Sequence, residues 1–389
     1  MSGPRVLEAI TPSRIGGAEV FVTELFASFA ELGAHVEVFC PTGRPFVDYA
    51  KARGISPITW KTFGKFDPIT VMRLARLMRR DRIDVIHTHL STASLLGACA
   101  AKLAGKRSVA HVHGLNTATC FRYSDLIIAV SEKVKSHLVA QGIDEKKVRV
   151  VHNGVDLVRF QPMDAREAKI KLASAPPGKI PGGMMPDEPL LGVFGRLSSE
   201  KGQRVAVEAM FLIVKDPSPA LPAAGRGLAD AIPAAGRGLA EARLVLVGEG
   251  RDREDLETSA EALGIRDSVL FTGFVQDVRE LMSACDIVIV PSSRGEGFGL
   301  VAVEAMALSR PVVASAQGGL PEIVVPGETG LLVPPNDPQA LADAVCELVA
   351  NPEIAQSMGA KGRVRVEEHF ALGEQMRKVL EILDLGGAQ

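Results

Sequence analysis

The chain has 389 residues, 47% of them hydrophobic and 5% aromatic, with a formal net charge of −2 at pH 7. This length exceeds one ordinary hydrophobic core, so we expect two domains packed mainly by aliphatic side chains. The sequence lacks an apolar run of about eighteen residues and a signal peptide, which excludes a spanning helix and predicts a cytoplasmic protein. The five scattered cysteines, none in C-x-x-C spacing, fit reduced thiols.

The two halves of the chain differ in charge. Residues 1–185 contain 26 Lys and Arg against 16 Asp and Glu, whereas residues 186–389 contain 18 against 30. Different surfaces indicate different partners for the two halves. We expect no nucleic acid among them.

The first half alternates β-branched apolar runs with segments of helical spacing. The predicted strands are Arg5–Ile10, His35–Cys40, Val85–Thr88, Ser108–His113, Leu126–Val130 and Val148–Val151. The predicted helices between them include Ala18–Leu32, Ile69–Arg80 and Thr92–Leu103. Such alternation predicts βαβ units and a parallel sheet covered on both faces.

The same pattern starts again in the second half and ends in a mostly helical tail. The predicted strands are Leu190–Phe194, Arg243–Val247, Val269–Thr272, Ile287–Val290, Pro311–Ala314 and Leu331–Val333. We therefore predict an α/β protein with two Rossmann-like, doubly wound parallel-sheet domains at 1–173 and 190–370. A Pro- and Gly-rich linker or loop is predicted at 174–189.

A tandem repeat interrupts the second half. PAAGRGLADAI at 222–232 is followed at 233–243 by PAAGRGLAEAR. A repeat this short and rich in small residues cannot stack into a core of its own. We predict a surface insertion at 218–242.

The strongest chemical signal is the segment EGFGLVAVE, which runs from Glu296 to Glu304 after a predicted strand. Gly297 and Gly299 let the backbone approach a ligand, and the helix predicted from Leu300 directs its free N–H groups at that ligand. A helix after an ordinary glycine loop remains the alternative.

A second signal, GRLSSEKG at 195–202, follows the first predicted strand of the second domain. Ligands of open parallel sheets bind beyond the carboxyl ends of strands. Arg196 and Lys201 at such a position suit a diphosphate, although two solvent-exposed cations would give the same pattern.

In the first domain, the equivalent strand leads into a loop with Gly16 and Gly17, which could approach a phosphate or sugar. This loop is not the G-x-G-x-x-G fingerprint, so a dinucleotide cofactor is disfavoured. His113 closes another predicted strand, at its carboxyl end. We found no D-x-D motif and no His/Cys cluster with metal-ligand spacing, so we expect no metal and no cofactor.

In order and spacing, these segments resemble the GT-B fold glycosyltransferases of family 4 (glycosyl transferases group 1), which have two domains facing a cleft. The matching segments are GGAE at 16–19, HVHG at 111–114, AVSE at 129–132, NGVD at 153–156, GRLSSEKG at 195–202, PSSRGEGFGLVAVEAMA at 291–307 and GGLPEIV at 318–324.

The resemblance implies a role for each matching residue. The second domain would bind a nucleotide sugar, with Arg196 and Lys201 on the diphosphate, Glu304 on the ribose and Glu296 on the sugar. His113 would contact the sugar near its anomeric carbon, and a C-terminal helix near 371–386 would pack back on the acceptor-binding first domain. The remaining donor-binding positions are Gly16, Gly17, Val275, Gly297, Phe298, Gly299 and Leu300.

The implied function is a retaining, metal-independent transfer from a nucleotide diphosphate sugar, with UDP favoured, to a cell-envelope glycan or lipid-linked acceptor. The catalytic residues would be His113, Arg196, Lys201 and Glu296, and stabilisation of the departing diphosphate would be the main catalytic effect. The alternatives are a non-catalytic nucleotide-sugar-binding scaffold and another enzyme of this fold, such as a phosphorylase or epimerase.

Arginines cluster on or beside the predicted helix Ile69–Arg80. One hypothesis is that this face contacts anionic lipid at the inner face of the cytoplasmic membrane. A solvated helix face is the alternative. The cluster comprises Arg73, Arg76, Arg79, Arg80 and Arg82.

Overall fold

The computed structural model describes residues 3–173, 187–215, 239 and 241–384. The chain divides into two compact units. Unit 1 contains residues 1–154 and 372–389, and unit 2 contains residues 155–371.

Unit 1 is built on a seven-stranded sheet with the order β3-β2-β1-β4-β5-β6-β7, in which the neighbouring strands run parallel. Its strands are β1 Arg5–Ile10, β2 His35–Pro41, β3 Ile58–Trp60, β4 Val85–His89, β5 Arg107–Val112, β6 Leu126–Ala129 and β7 Val148–Val150. Its first helices are α1 Gly17–Glu31, α2 Pro45–Lys51, α3 Pro68–Arg80, α4 Ser91–Ala104 and α5 Glu132–Ala140.

Unit 2 is built on a six-stranded parallel sheet with the order β10-β9-β8-β11-β12-β13. Its strands are β8 Leu190–Phe194, β9 Arg243–Val247, β10 Val269–Gly273, β11 Ile287–Val290, β12 Val312–Ser315 and β13 Gly330–Val333. Its helices are α6 Ala165–Ala173, α7 Gln203–Lys215, α8 Arg253–Ala262, α9 Arg279–Ala284, α10 Leu300–Ala307, α11 Leu320–Ile323, α12 Pro338–Ala350 and α13 Pro352–His369.

The central strands carry apolar side chains on both faces because helices cover both sides of each sheet. All five residues of β8 are buried, and so are all four of β11. In unit 2 the core joins β8, β9 and β11 to α7 and α12. A parallel sheet with helices on both sides is the α/β arrangement that the alternating pattern predicted, and the prediction of the fold class is confirmed.

The last helix, α14 (Leu372–Asp384), belongs to unit 1. Its buried Met376 and Val379 join the cluster that includes Phe29 of α1 and Val109 of β5. The Arg107 guanidinium donates a hydrogen bond to the Leu383 carbonyl at the end of the helix, over 3.1 Å. The C-terminal segment is therefore part of the core of unit 1.

The boundary between the units lies earlier than the boundary at 173 that the sequence predicted. α6 packs against α9 in unit 2, and its buried Lys169 binds the Asp286 carboxylate over 2.7 Å. Because this contact fixes α6 to the second sheet, unit 1 ends at Gly154. Most of the predicted linker at 174–189 and of the repeat insertion at 218–242 lies outside the described residues.

Each sheet has one point at which the strand order reverses. In unit 1 this point lies between β1 and β4, and in unit 2 it lies between β8 and β11. Loops beyond the carboxyl ends of strands at such a point form the ligand-binding crevice of open α/β sheets. The predicted loops at 11–17, 195–202 and 291–299 follow β1, β8 and β11, so they lie at these points.

Candidate functional site

The loop after β8 carries the two predicted diphosphate-binding cations. Arg196 is partly exposed, and its guanidinium donates to the Glu200 carboxylate over 3.2 Å. Its backbone carbonyl accepts a hydrogen bond from the buried Gln203 side chain over 2.9 Å. This bond fixes the start of the loop, while the guanidinium remains near solvent and can exchange Glu200 for an anionic ligand.

Lys201 and Glu296 meet although 95 residues separate them in the sequence. The Lys201 ammonium donates to Glu296 Oε2 over 2.8 Å, and the Ser292 hydroxyl donates to the same oxygen over 2.8 Å. The Glu296 carboxylate is only 9% exposed, whereas the Lys201 side chain is 34% exposed. Glu296 thus holds the ammonium in place while part of the cation still faces solvent, as binding a phosphate would require.

Close backbone contact brings these two loops together. A Cβ at Gly202, whose φ is +71°, would lie 1.9 Å from the Pro291 carbonyl oxygen. Ser293 N–H also donates to the Glu200 carbonyl over 3.0 Å. A side chain at position 202 would separate the loop after β8 from the loop after β11, so glycine is required there.

The segment from Gly297 to Leu300 leads into α10. Gly299 caps this helix with φ +114°, a conformation that other residues avoid. The Phe298 side chain is buried, and its ring makes an edge contact with that of Phe370. Its side chain therefore belongs to the core, and only its backbone remains to meet a ligand. The N–H groups and positive dipole end of α10 give this segment an affinity for anions.

The loop after β12 packs against the backbone of this segment. A Cβ at Gly318 would lie 2.0 Å from the Glu296 carbonyl oxygen, and Gly319 N–H donates to the same oxygen over 3.2 Å. The conformation of Glu296 is therefore set by the GGLPEIV segment as well as by Lys201. Glu304 and Leu300 are half-buried in α10, and Val275 is half-buried in the loop after β10.

In unit 1, the glycine loop starts α1. Glu19 is buried, and its carboxylate accepts the Gly16 N–H over 2.9 Å. Burial raises the pKa of this carboxyl, although its hydrogen bonds to backbone N–H groups oppose that effect. Gly17 is exposed, and a Cβ there would meet no atom within 4 Å. The loop therefore leaves open space at Gly17, as the predicted approach to a ligand requires.

His113 belongs to a buried network that the sequence did not reveal. Glu8, on β1, lies with one carboxylate oxygen 3.0 Å from His87 Nδ1 and with the other 2.8 Å from His89 Nε2. His89 Nδ1 lies 3.0 Å from His113 Nε2, and His87 Nε2 lies 3.3 Å from His111 Nδ1. We call these five residues the Glu8 network.

Burial dominates the electrostatics of this network. It raises the pKa of the Glu8 carboxyl and lowers that of His113 to about 3. The pKa values of His89 and His111 are also well below the usual histidine value, because burial and the neighbouring histidines both oppose a positive charge. These three rings are therefore neutral at pH 7.

Three of the histidines are close enough to be considered as metal ligands. Ring nitrogens of His87, His89 and His111 lie within 4.8 Å of one another, so the absence of metal-ligand spacing in the sequence did not prevent such a cluster. The rings of His89 and His111, however, are stacked at 25°, so their in-plane lone pairs do not converge on one point. Each of the three rings also makes a hydrogen bond within the Glu8 network.

A signal for this network was present in the sequence. The segments IHTH and HVH end neighbouring parallel strands, β4 and β5, and alternate residues of a strand point to the same face. The predicted strand Val85–Thr88 stopped one residue short of His89, and Glu8 lay inside the predicted strand Arg5–Ile10 without an assigned chemical role. The pairing of β1 with β4 places Glu8 directly opposite His87.

Comparison with known proteins agrees with this geometry. The family Glycosyltransferase Family 4 matches residues 15–159, and Glycosyl transferases group 1 matches residues 183–365. The alpha-maltose-1-phosphate synthase of Mycolicibacterium smegmatis is 30% identical over 95% of this chain and 96% of its own length. The chain belongs to the group 1 glycosyltransferases of family 4.

Other glycosyltransferases are similar along most of the chain. The lipopolysaccharide core biosynthesis mannosyltransferase LpcC of Rhizobium leguminosarum is 28% identical, with 95% of this chain and 93% of that protein covered. The HepE protein of Anabaena, solved in complex with UDP-glucose, superposes with a TM-score of 0.78 at 23% identity, over 97% and 99% of the two chains. The GT-B fold expected for this glycosyltransferase is confirmed.

In the described part of this glycosyltransferase, none of the helices combines the length and the apolar character that crossing a bilayer needs.

Proposed function

We propose that this glycosyltransferase is a retaining, metal-independent enzyme that transfers a sugar from a nucleoside diphosphate, with UDP favoured, to a cell-envelope glycan or lipid-linked acceptor. The observation that carries the proposal is the contact of Lys201 with Glu296 at the switch point of unit 2. This contact joins two loops, of which one also carries the partly exposed Arg196 guanidinium and the other leads into α10.

The charges of this site suit a diphosphate. Arg196 and Lys201 supply two positive charges, and α10 adds N–H groups and a positive dipole end. Preorganised charges of this kind stabilise the negative charge that develops when a sugar–phosphate bond breaks. They supply this stabilisation without a metal ion. The Glu296 carboxylate, beside Lys201, then accepts hydrogen bonds from the hydroxyls of the sugar.

The relatives support the choice of donor and acceptor. The Anabaena HepE structures are complexes with UDP and with UDP-glucose, and the Rhizobium LpcC protein is named as a lipopolysaccharide core mannosyltransferase. A nucleotide sugar and an envelope glycan are therefore the substrates that we propose here. Retention of configuration follows the family resemblance.

A thermal-shift panel of UDP, GDP, ADP and their common sugars, each with and without EDTA, tests the donor site. A ligand at tens of times its Kd stabilises a fold by ~2 kcal/mol, and we expect this shift for UDP and a UDP-sugar in EDTA. Lys201→Ala should abolish the shift, whereas Lys361→Ala, which removes an exposed lysine of α13, should keep it.

A shift that requires added metal would contradict metal independence, and a shift that survives Lys201→Ala would contradict the site. Incubation with the donor that binds, followed by NMR of the product, then reads turnover and anomeric configuration. A protein that binds the donor but never releases free nucleotide would be a scaffold instead of an enzyme.

The acceptor side of the proposal includes contact with an anionic membrane on the cytoplasmic side. Phe66 and Phe63, just before α3, are 88% and 67% exposed, and Ile69 and Met72 of the same helix are exposed as well. The five arginines of the predicted cluster are all exposed. Apolar side chains beside basic ones are the composition of a surface that inserts shallowly among anionic headgroups.

Vesicle co-sedimentation tests this contact. Each cation near an anionic surface contributes about 1 kcal/mol, so the double reversal Arg73→Glu/Arg76→Glu should weaken binding to phosphatidylglycerol vesicles by at least ~30-fold. Phe66→Ser should weaken it independently of salt. Lys361→Glu, a charge reversal in unit 2, is the control and should bind like the wild type. Equal binding by all four proteins would contradict membrane contact.

A further inference from the structure

The Glu8 network has two arms that start on one carboxylate. One arm runs from Glu8 through His89 to His113, and the other runs through His87 to His111. Glu8 and the first histidine of each arm have no solvent exposure. The protons of His87 and His89 are therefore placed by their neighbours in the network.

Each neutral ring has one N–H donor and one bare nitrogen. The donor or acceptor role of each Glu8 oxygen therefore determines which nitrogen carries the proton in every ring of that arm. The contact with His87 opposes the effect of burial on the pKa of Glu8, and our proton count takes the carboxylate as ionised. An ionised Glu8 only accepts hydrogen bonds, which requires His89 to carry its proton on Nε2. His89 Nδ1 is then bare, and it accepts the proton of His113 Nε2 over 3.0 Å. His113 Nδ1 is left without a proton, as a hydrogen-bond acceptor.

The same reasoning along the other arm gives the opposite tautomer. His87 carries its proton on Nδ1 towards Glu8, and its bare Nε2 accepts the proton of His111 Nδ1. His111 Nε2 is then bare, and it is a buried nitrogen without a hydrogen-bond partner among the described residues. This arm therefore ends inside the protein, whereas the arm through His89 ends on the only partly exposed histidine of the network.

We propose that Glu8 is a positioning residue that, through His89, fixes the tautomer of His113 and keeps its Nδ1 as a hydrogen-bond acceptor for a hydroxyl of the substrate sugar. The proposal rests on the proposed function in one respect, which is the contact of His113 with that sugar. The depressed pKa values of His89, His111 and His113 support the neutral state that the proton count assumes for these three rings. Phe21, packed edge-on against His111 and His113, holds the rings in these orientations.

The tautomers can be read directly by 1H–15N NMR of protein labelled at its eight histidines, without any donor. Single histidine variants assign the signals. We expect His89 and His113 to be protonated on Nε2, and His87 and His111 on Nδ1. The reverse tautomer at His113, or an imidazolium there at pH 7, would overturn the proposal.

Glu8→Gln keeps the shape of the side chain but replaces one of the two accepting oxygens by an NH2 group, which donates. At least one arm must then exchange its tautomers. Unchanged tautomers at all four rings, in a folded variant of normal melting temperature, would also overturn the proposal. His111→Gln is the matched control because it changes the same cluster but leaves the arm through His89 intact.

Turnover should follow the tautomer of His113. A variant with a proton on His113 Nδ1 loses an accepted hydrogen bond, so we expect kcat to fall by at least about tenfold while the donor KM changes little. His111→Gln should keep kcat near the wild-type value. Equal losses in a variant that keeps the His113 tautomer and in one that inverts it would show a purely structural role. The expected tautomers without turnover on any donor would contradict the proposed function alone.

Discussion

Acidification from about pH 7.5 to 5.5 is expected to lower the free energy of unfolding of unit 1 by about 4 kcal/mol, before any opposing contribution. His89, His111 and His113 have pKa values well below 6.5 in the folded protein, so they stay neutral. In the unfolded chain they take up protons near their usual pKa. The unfolded state therefore binds more protons as the pH falls, and the folded state loses stability.

Carboxyl groups with raised pKa act in the opposite direction. Glu8 and Glu19 bind protons more readily in the folded state than in the unfolded chain, so they add stability as the pH falls through their folded-state pKa. Two carboxyl groups therefore oppose the effect of three histidines on stability. Each histidine contributes about 1.4 kcal/mol over this pH interval. We therefore expect the loss of stability from the histidines to exceed the gain from the carboxyl groups at the upper end of the interval.

The single tryptophan makes this measurement specific to unit 1. Trp60 lies in β3, where its ring packs 4.2 Å from that of Phe39, so its fluorescence follows the unfolding of this unit. Urea titrations at the two pH values give the difference. His113→Asn should reduce it by about a third, whereas His369→Asn in unit 2 should leave it unchanged. A pH-independent transition in the wild type would contradict the buried, neutral histidines.

Gly202→Ala is expected to destabilise unit 2 by at least about 3 kcal/mol. The new methyl group would lie 1.9 Å from the Pro291 carbonyl oxygen, and a backbone oxygen cannot rotate away as a side chain could. The loops after β8 and β11 must then separate. Because these loops carry Lys201 and Glu296, donor binding should weaken with the loss of stability.

Gly264→Ala is the matched control for this substitution. Gly264 has φ +66°, close to the +71° of Gly202, but a Cβ there would meet no atom within 4 Å. It should cost about 1 kcal/mol, the strain of a left-handed alanine alone. Calorimetry of the two variants separates backbone strain from steric contact. Equal melting temperatures would show that the two loops yield easily.

Much of the fold followed from hydrophobic pattern. The bounds predicted for β1, β8, β9 and β11 agree with the structure, because buried parallel strands are mostly apolar runs between turn residues. β3, with only three residues at the edge of the sheet, was not predicted. Its pattern is too short to distinguish from a loop, and its pairing with β2 is a tertiary contact.

The candidate site was predicted residue by residue, but its contacts were not. The sequence singled out Lys201 and Glu296 as two separate positions, and only the sheet order brings β8 beside β11 and joins them. The same limit explains why Glu8, inside the predicted strand Arg5–Ile10, was not singled out. Its partners come from β4, which lies 79 residues later in the chain and pairs with β1.

The return of α14 to unit 1 has a consequence for synthesis on the ribosome. Residues 1–154 are translated before unit 2, yet the side chains of Met376 and Val379 that complete their core are translated only after the whole of unit 2. Until then, the faces of α1 and β5 that α14 covers remain apolar and open. Unit 1 can therefore finish folding only after unit 2 has been translated, and unit 2 can fold as a whole before it.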